Sequence, residues 1–342
     1  MTPFTAVNEI GEFGLIDQMK SVLDTPSESV LCGIGDDAAV YSIGEGKVQV
    51  VTTDALVDGV HFDRMFMPMR YLGYKAISVN ASDVLAMNAQ PLYATVALAL
   101  PSNISVEMVK ELYQGMAHAC KLYGMSLIGG DTTVAKQLMI SVTAIGEAKE
   151  SAISYRSKAQ EGDMLCVSGD LGGAYAGLKI LLESQKAFKA QDDPEFQPDL
   201  TAYDYVIQRQ LAPTARYDIF RDWQIKGVVP TACIDISDGL ASEIHHICQQ
   251  SKCGALVKAA NIPIEILTRE VAEAFNDDPE TYALYGGEDY ELLFTVTTED
   301  LSKLDPNLFQ VIGRILPADE GVFLSLSDGG TMPLEAAGFT HF

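Results

Sequence analysis

Residues 33–40 read GIGDDAAV. Gly33, Gly35 and Ala38 formally fit the G-x-G-x-x-A turn that opens a dinucleotide-binding βαβ unit. Two features exclude that fold. The adjacent carboxylates of Asp36 and Asp37 would repel a pyrophosphate. The residues that follow, AVYSI, read as a strand where the dinucleotide fold requires a helix. The stretch is therefore a glycine-rich turn feeding a strand, with two like charges at a buried approach. Asp36 by itself reads as a turn residue or a group behind the ligands. What offsets the repulsion is a question the rest of the chain answers.

Outward from that turn, helices and strands are mixed in both halves. EFGLIDQMKSVL (12–23) reads as an amphipathic helix, VQVVTTD (48–54) as a strand ending on a carboxylate, and residues 71–89 as a helix. Residues 105–124 form the clearest helix. Ser105 is its N-cap, Val106, Val109, Leu112, Met116 and Cys120 line one apolar face, and Gly124 stops it. MSLIGGD is expected to run into a glycine turn, and LMISVTAIGE (138–147) alternates like a strand with one covered face. Near residue 150 the texture turns polar and charged, a domain junction. Beyond it come strand MLCVSGD, helix GGAYAGLKILLES, a polar loop over 185–199, and strands at 291–297, 309–315 and 321–326. The expectation is a two-domain α/β (α+β) protein, divided into 1–150 and 151–342.

Composition narrows the function classes. The chain has 342 residues and a formal net charge of -24, from 47 acids against 23 bases. A surface for nucleic acid needs clustered Lys and Arg, and anionic lipid repels such a chain, so neither partner is expected. No basic, apolar leader and no run of membrane-spanning length is seen. Cys32, Cys120, Cys166, Cys233, Cys248 and Cys253 are scattered without a C-x-x-C, which argues for reduced thiols in a cytoplasmic protein and against zinc. No G-x-x-x-x-G-K-[ST] and no protein-kinase catalytic loop occurs.

The acids are notable for where they lie. Asp37 follows a Gly-rich turn, Asp54 follows Thr52-Thr53, Asp83 lies in VNASD, and Asp131 closes LIGGD. Asp235 and Asp238 flank Ser237 in IDISDGL, and Glu288 and Asp289 sit in GGEDYEL. VNASD and IDISD both place Ser-Asp at an apparent helix start. Any one of these acids is more often a cap or an Asx turn than a ligand. Five such segments together, in apolar or glycine-rich sequence, call for cations, and hard divalent ions with oxygen ligands, Mg²⁺ first, answer the need. Of the histidines, His61 is the one expected to touch a substrate.

The segments GIGDDAAV, TTDALVDGVHF, KAISVNASDVLAM, LIGGDTT, IDISDGL and GGEDYEL stand in the order and spacing of bacterial thiamine-monophosphate kinases, which the chain resembles over residues 11–342. That family lies in the superfamily of aminoimidazole-ribonucleotide synthetase, selenophosphate synthetase and the hydrogenase-maturation protein that dehydrates a carbamoyl group. The pairing of TTDALVDGVHF with GGEDYEL is specific to the kinase branch. The resemblance implies an N-terminal domain that forms the sheet or barrel of a homodimer, and a C-terminal α/β domain that completes the cleft. It implies ATP and several Mg²⁺ ions between them. It makes Asp37, Thr52, Thr53, Asp54, Asp83, Asp131, Asp235 and Asp238 metal-site residues, with Asp54, Asp83, Asp131 and Asp235 the catalytic core. Gly130, Asp131, Arg156, Ser237 and Tyr123 become ATP contacts, with Tyr123 beside the adenine. His61, Glu288 and Phe339 become contacts to thiamine monophosphate. Ala81 stands where the family usually has leucine, Asn88 where it has glycine, and residues 185–199 carry no family motif.

The implied reaction is ATP plus thiamine monophosphate giving thiamine diphosphate and ADP. The nucleophile is a phosphate oxygen whose second pKa is about 6, so no general base is required. Two other readings stand beside it. A selenophosphate-type activator would need a reactive cysteine in a glycine-rich lead, and Cys32 has no such lead. A non-catalytic module would bind Mg²⁺ and ATP without turnover.

Overall fold

The computed structural model describes residues 7–23, 27–190 and 198–336. The first half runs α1 (Gly11–Val22), β1 (Val30–Cys32), β2 (Ala39–Gly44), β3 (Lys47–Val57), α2 (Met69–Ala86), β4 (Gln90–Leu100), α3 (Val106–Tyr123), β5 (Ser126–Val134) and β6 (Met139–Lys149). The second half begins with β7 (Met164–Ser168), α4 (Gly173–Ala190), α5 (Asp204–Leu211), α6 (Tyr217–Lys226), β8 (Ala232–Asp235) and α7 (Leu240–Ser251). It continues with β9 (Gly254–Lys258), α8 (Ile266–Ala274), α9 (Pro279–Tyr285), β10 (Leu292–Val296), α10 (Thr298–Leu301), β11 (Phe309–Leu316), β12 (Val322–Ser325) and β13 (Thr331–Pro333).

Two sheets result. The first has the order β1-β2-β3-β6-β4-β5 and the second β13-β12-β9-β11-β7-β10-β8. Among the described strands, only β4–β5 and β12–β9 are parallel pairs. β4 reaches β5 through the crossover helix α3, the connection a parallel pair needs. The first core lies between its sheet and the α2–α3 layer: Val48, Val50, Val96, Ile140 and Val142 meet Leu72, Ala76, Leu85, Leu112 and Met116. This core also draws in Leu181, Leu211, Ala215 and Phe220 from the second half, which ties the halves together around the cleft.

Two edges of the first sheet are open. β2 pairs with β3 only as far as Val51, while β6 follows β3 to Val57. Among the described residues β5 has a single strand partner, and Ile128 and Val134 on it are 57% and 85% exposed.

Several sequence expectations need correction. Strand β3 does not end at Asp54 but runs on to Val57. LIGGD does not turn: β5 continues through both glycines to Val134. Ser82-Asp83 is not at a helix start but near the C-terminal end of α2, where tertiary packing overrides the capping preference of Ser and Asp. Ser105 and Gly124 cap α3 as expected, with Ser105 accepting the Met108 N–H, but Val106 is 65% exposed and leaves the apolar face. The segment from 185 is helix as far as Ala190, and residues 191–197 lie outside the described residues. Asn88 explains its own substitution for glycine. It has φ 54°, a left-handed conformation Asn tolerates at a helix end, and its side chain bonds Ala152 O and Gln224 at 2.9 Å each.

Helix α2 carries much of the site, and two glycines seat it. A Cβ on Gly73 would lie 1.9 Å from Leu112 O, and one on Gly115 would lie 1.9 Å from Arg70 O. The two helices touch backbone to backbone, with no space for a methyl on either side. Gly115→Ala should therefore destabilise the fold by about 3 kcal/mol through forced separation of α2 and α3. Urea unfolding checks this, and an unchanged midpoint would show that the helices can part freely.

Candidate active site

The cleft between the halves gathers most of the acids picked out in the sequence. It encloses a cavity of about 520 Å³ lined by Asp54, His61, Asp83, Asp235, Ser237, Asp238 and Glu288, with apolar wall from Phe62, Phe66, Met67, Tyr175 and Leu182. A second cavity of about 530 Å³ lies among Arg209, Arg216 and Glu291 and contains none of those residues.

Each acid arrives on a different element. Asp37 is on the turn before β2, Asp54 on β3, Asp83 on α2 and Asp235 at the end of β8. Ligand oxygens of Asp37, Asp83 and Asp235 all fall within 4.8 Å of one another. Asp54 joins them electrostatically. Burial pushes its carboxyl up to about 6, and the charge of Asp37 adds to the shift. Burial likewise pushes Asp83 well above the carboxylate range, reinforced by Asp54 and Asp235. Asp235 is raised by burial and then by Asp37. Asp36, buried beside Asp37, is pushed up to about 7. Its Oδ1 accepts the Asp37 N–H at 3.0 Å, as a turn residue would. Asp37 Oδ2 and Asp235 Oδ2 are buried with no hydrogen-bond partner among the described residues.

The protein supplies limited compensation. Arg156 forms an ion pair with Asp37 and reaches Asp36 at 3.7 Å. Thr52 donates its hydroxyl to Asp83 Oδ2 at 2.6 Å, and the Asp54 N–H donates to Asn80 Oδ1 at 3.1 Å. One guanidinium among five buried carboxylates is an unfavourable balance. The donor set is oxygen only, with orphaned carboxylate oxygens at its centre, and that fits hard divalent cations.

The residues that the resemblance assigns to the substrate are held differently. His61 lies beyond β3, and its Nδ1 accepts the Val57 N–H at 3.1 Å, so the neutral ring carries its proton on Nε2. Glu288 and Tyr290 adopt φ 59° and 53° in the turn before β10. Gly287 makes that turn possible: its φ is 69°, and a Cβ there would sit 2.5 Å from Ser237 O. The Glu288 N–H donates to the same Ser237 oxygen at 2.7 Å, so GGEDY and DISDG form one two-loop corner. Asp289 faces away from the cleft chemistry. It accepts the Gly172 and Ala174 N–H groups at 2.7 and 3.2 Å and caps α4 from outside.

Four expected positions, Thr53, Tyr123, Gly130 and Asp131, do not join the cluster of their own chain. Thr53 lies on the opposite face of β3, where its hydroxyl donates to Val142 O at 3.0 Å, because strand periodicity separates it from Thr52 and Asp54. Tyr123 is fully buried, with its hydroxyl donating to Ser78 and accepting the Ala215 N–H at 3.0 Å each; it is a core residue, not a wall of the cleft. Gly130 is in register with Asp54 across Val96 and Val142. Three strand spacings, about 14 Å along the sheet, thus separate Gly130 and Asp131 from the acids of their own chain. Phe339 lies outside the described residues. The sequence reading missed Lys75 and Gln210. Both are buried, and Gln210 lines the cavity. A lysine inside the apolar spacing of α2 was the signal for the first; Gln210 had none.

The raised carboxyls make stability depend on pH. Asp36 and Asp54 titrate at about 7 and about 6 when folded, above the ordinary 3.8, so the folded chain binds protons that the unfolded chain has released. With metal chelated, stability should fall as pH rises from about 4 to about 7. A divalent cation should reverse the fall. Urea midpoints at about pH 5 and about pH 7.5, each in chelator and in Mg²⁺, check the sign, and Mg²⁺ should stabilise more at the higher pH. A midpoint that rises with pH in chelator would refute it.

Comparison with known proteins gives a consistent result. Residues 35–148 match the family of AIR synthase related proteins, N-terminal domain. The thiamine-monophosphate kinase of Aquifex aeolicus is 37% identical over 337 residues, 98% of this chain and 99% of that one. The Bacillus subtilis thiamine-monophosphate kinase is 35% identical, covering 92% and 94%. Among solved structures, AaThiL complexed with AMPPCP and TMP superposes with a TM-score of 0.84 at 36% identity, over 99% of each chain. The cleft and its acids thus belong to a fold shared from end to end with these enzymes, and the chain belongs to the thiamine-monophosphate kinase family.

Proposed function

We propose that the protein transfers the γ-phosphoryl group of ATP directly to thiamine monophosphate, giving thiamine diphosphate and ADP, the step that completes that cofactor. The observation that carries this reading is the meeting of Asp37, Asp83 and Asp235 in one buried cluster at a cavity that also holds His61 and Glu288. AaThiL, which carries AMPPCP and TMP, supports the same pair of substrates.

Asp37, Thr52, Asp54, Asp83, Asp235 and Asp238 would hold Mg²⁺. When bound, the ions supply the positive charge that lets two polyanions approach within an acidic cleft. The chain's own residues do the rest. Arg156 holds Asp36 and Asp37 in place through its guanidinium. His61 offers its Nε2 proton to a phosphate oxygen. Ser237 presents a hydroxyl at the corner it shares with Glu288. The attacking phosphate is already largely ionised, so no side chain needs to remove a proton.

The reading includes a homodimer formed by the first unit, 1–150, with the second unit, 151–342, closing the cleft in a cytoplasmic protein whose six cysteines are free. The open edge of β5 and the open half of β3 are complementary features that a second copy would cover. The same pairing would bring Asp131 of the partner subunit to the acids its own chain holds away from it, and Gly130 with it. No helix among the described residues is long and apolar enough to cross a membrane.

The first test is turnover: thiamine diphosphate, detected as its fluorescent thiochrome, should form only with both ATP and Mg²⁺. Asp54→Asn and Asp131→Asn should each lower kcat by about 10³-fold with folding intact. Dissociating and mixing the two variants in equal amounts makes half the dimers mixed, each with one intact site. About a quarter of wild-type activity should return if Asp131 acts across the interface. No recovery would place Asp131 at its own chain's site.

A further inference from the structure

Lys75 is the one lysine fully buried among the described residues. A buried ammonium is costly unless paired, and the partner here is specific. Its Nζ lies 2.9 Å from Glu288 Oε1 and donates to Gln210 O at 3.3 Å. Gln210 Nε2 in turn donates to Glu288 Oε2 at 2.7 Å. Both oxygens of Glu288 are therefore gripped from behind, while 28% of its side chain stays exposed. Gln210 also carries a buried acceptor, Oε1, with no partner among the described residues.

The placement has a scale. Lys75, Val79 and Asp83 are spaced i, i+4, i+8 on α2 and share one face of it. Eight residues of helix span about 12 Å. One end of that face holds the acid cluster, and the other holds the Lys75–Glu288 pair. Val79 lines the cavity between them. This suits a substrate with a phosphate at one end and a ring system at the other.

We infer that Lys75 is a positioning residue for the organic half of the phosphate acceptor. Resting on the function proposed above, it pins Glu288 so that the carboxylate's free lone pairs meet the cationic ring and amino group of the thiamine moiety. It also offsets the charge of Glu288, so this carboxylate adds little repulsion at the acid cluster. Lys75 itself touches no reacting atom.

Steady-state kinetics of Lys75→Met, Glu288→Gln and the double variant test this, with thermal unfolding run alongside. Lys75→Met should raise KM for thiamine monophosphate about tenfold and leave kcat and KM for ATP within about twofold. Glu288→Gln should do the same, and the double variant should be no worse than the poorer single, since Lys75 acts through Glu288. If Lys75→Met fails to fold, Lys75→Gln, which keeps a neutral donor, takes its place with the same expectations. An unchanged KM for thiamine monophosphate, an equal rise in KM for ATP, or additive effects in the double variant would overturn the inference. A wild-type protein that makes no thiamine diphosphate would instead overturn the function on which it rests, and the two failures are separate results.

Discussion

Mutual repulsion among buried carboxylates is the constraint on which the rest of the structure depends. Five aspartates approach one another in the cleft, and one guanidinium answers them. A fold driven only by stability would separate them or protonate them. Here they arrive on four elements drawn from both halves, so the cleft is assembled by the packing of the two sheets' layers and not by any local motif. The charge imbalance is the feature on which the proposed function rests: oxygen donors with too few cations of their own are what a divalent ion would satisfy.

Helix α2 is the structural answer to that constraint. It is buried on nearly all sides, wedged between the first sheet and α3 by the crossing at Gly73 and Gly115. Such a rigid seat lets it carry polar groups that a looser helix could not. Asn80 holds the Asp54 main chain, Asp83 accepts from Thr52, and Lys75 holds Glu288. The first two tie α2 to β3 and the third ties it to the turn before β10, and together they set the spacing between the acid cluster and the Lys75–Glu288 end of the cavity. The positive-φ turn at Glu288 is the matching device on the other side, held by Ser237 and by the capping of α4 by Asp289.

Much of this was legible in the chain. Alternating strands, capped helices and the turn at GIGDD ruled out a dinucleotide fold and pointed to two mixed α/β domains, because period and capping are local properties. The clustering of Asp37, Asp83 and Asp235 was inferable from chemistry: acids set among glycines and apolar residues have no solvent to face. Errors arose where neighbours in sequence part in space. Thr52 and Thr53 point to opposite faces of β3, and LIGGD, read as a turn, runs on as strand β5. VNASD reads as a helix start because Ser and Asp favour caps, yet packing places it late in α2.

The sequence by itself determined which residues carry charge into apolar surroundings, and so the oxygen-rich, cation-seeking character of the site and its kinship with a phosphoryl-transferring family. Only the tertiary structure decided which of those residues meet, that Tyr123 is core, and that Lys75 and Gln210 hold Glu288. The physical reason is range. Periodicity, capping and turn chemistry act over a few residues, whereas Lys75 and Glu288 stand far apart in the chain and are joined only when the two halves pack and exclude the water between them.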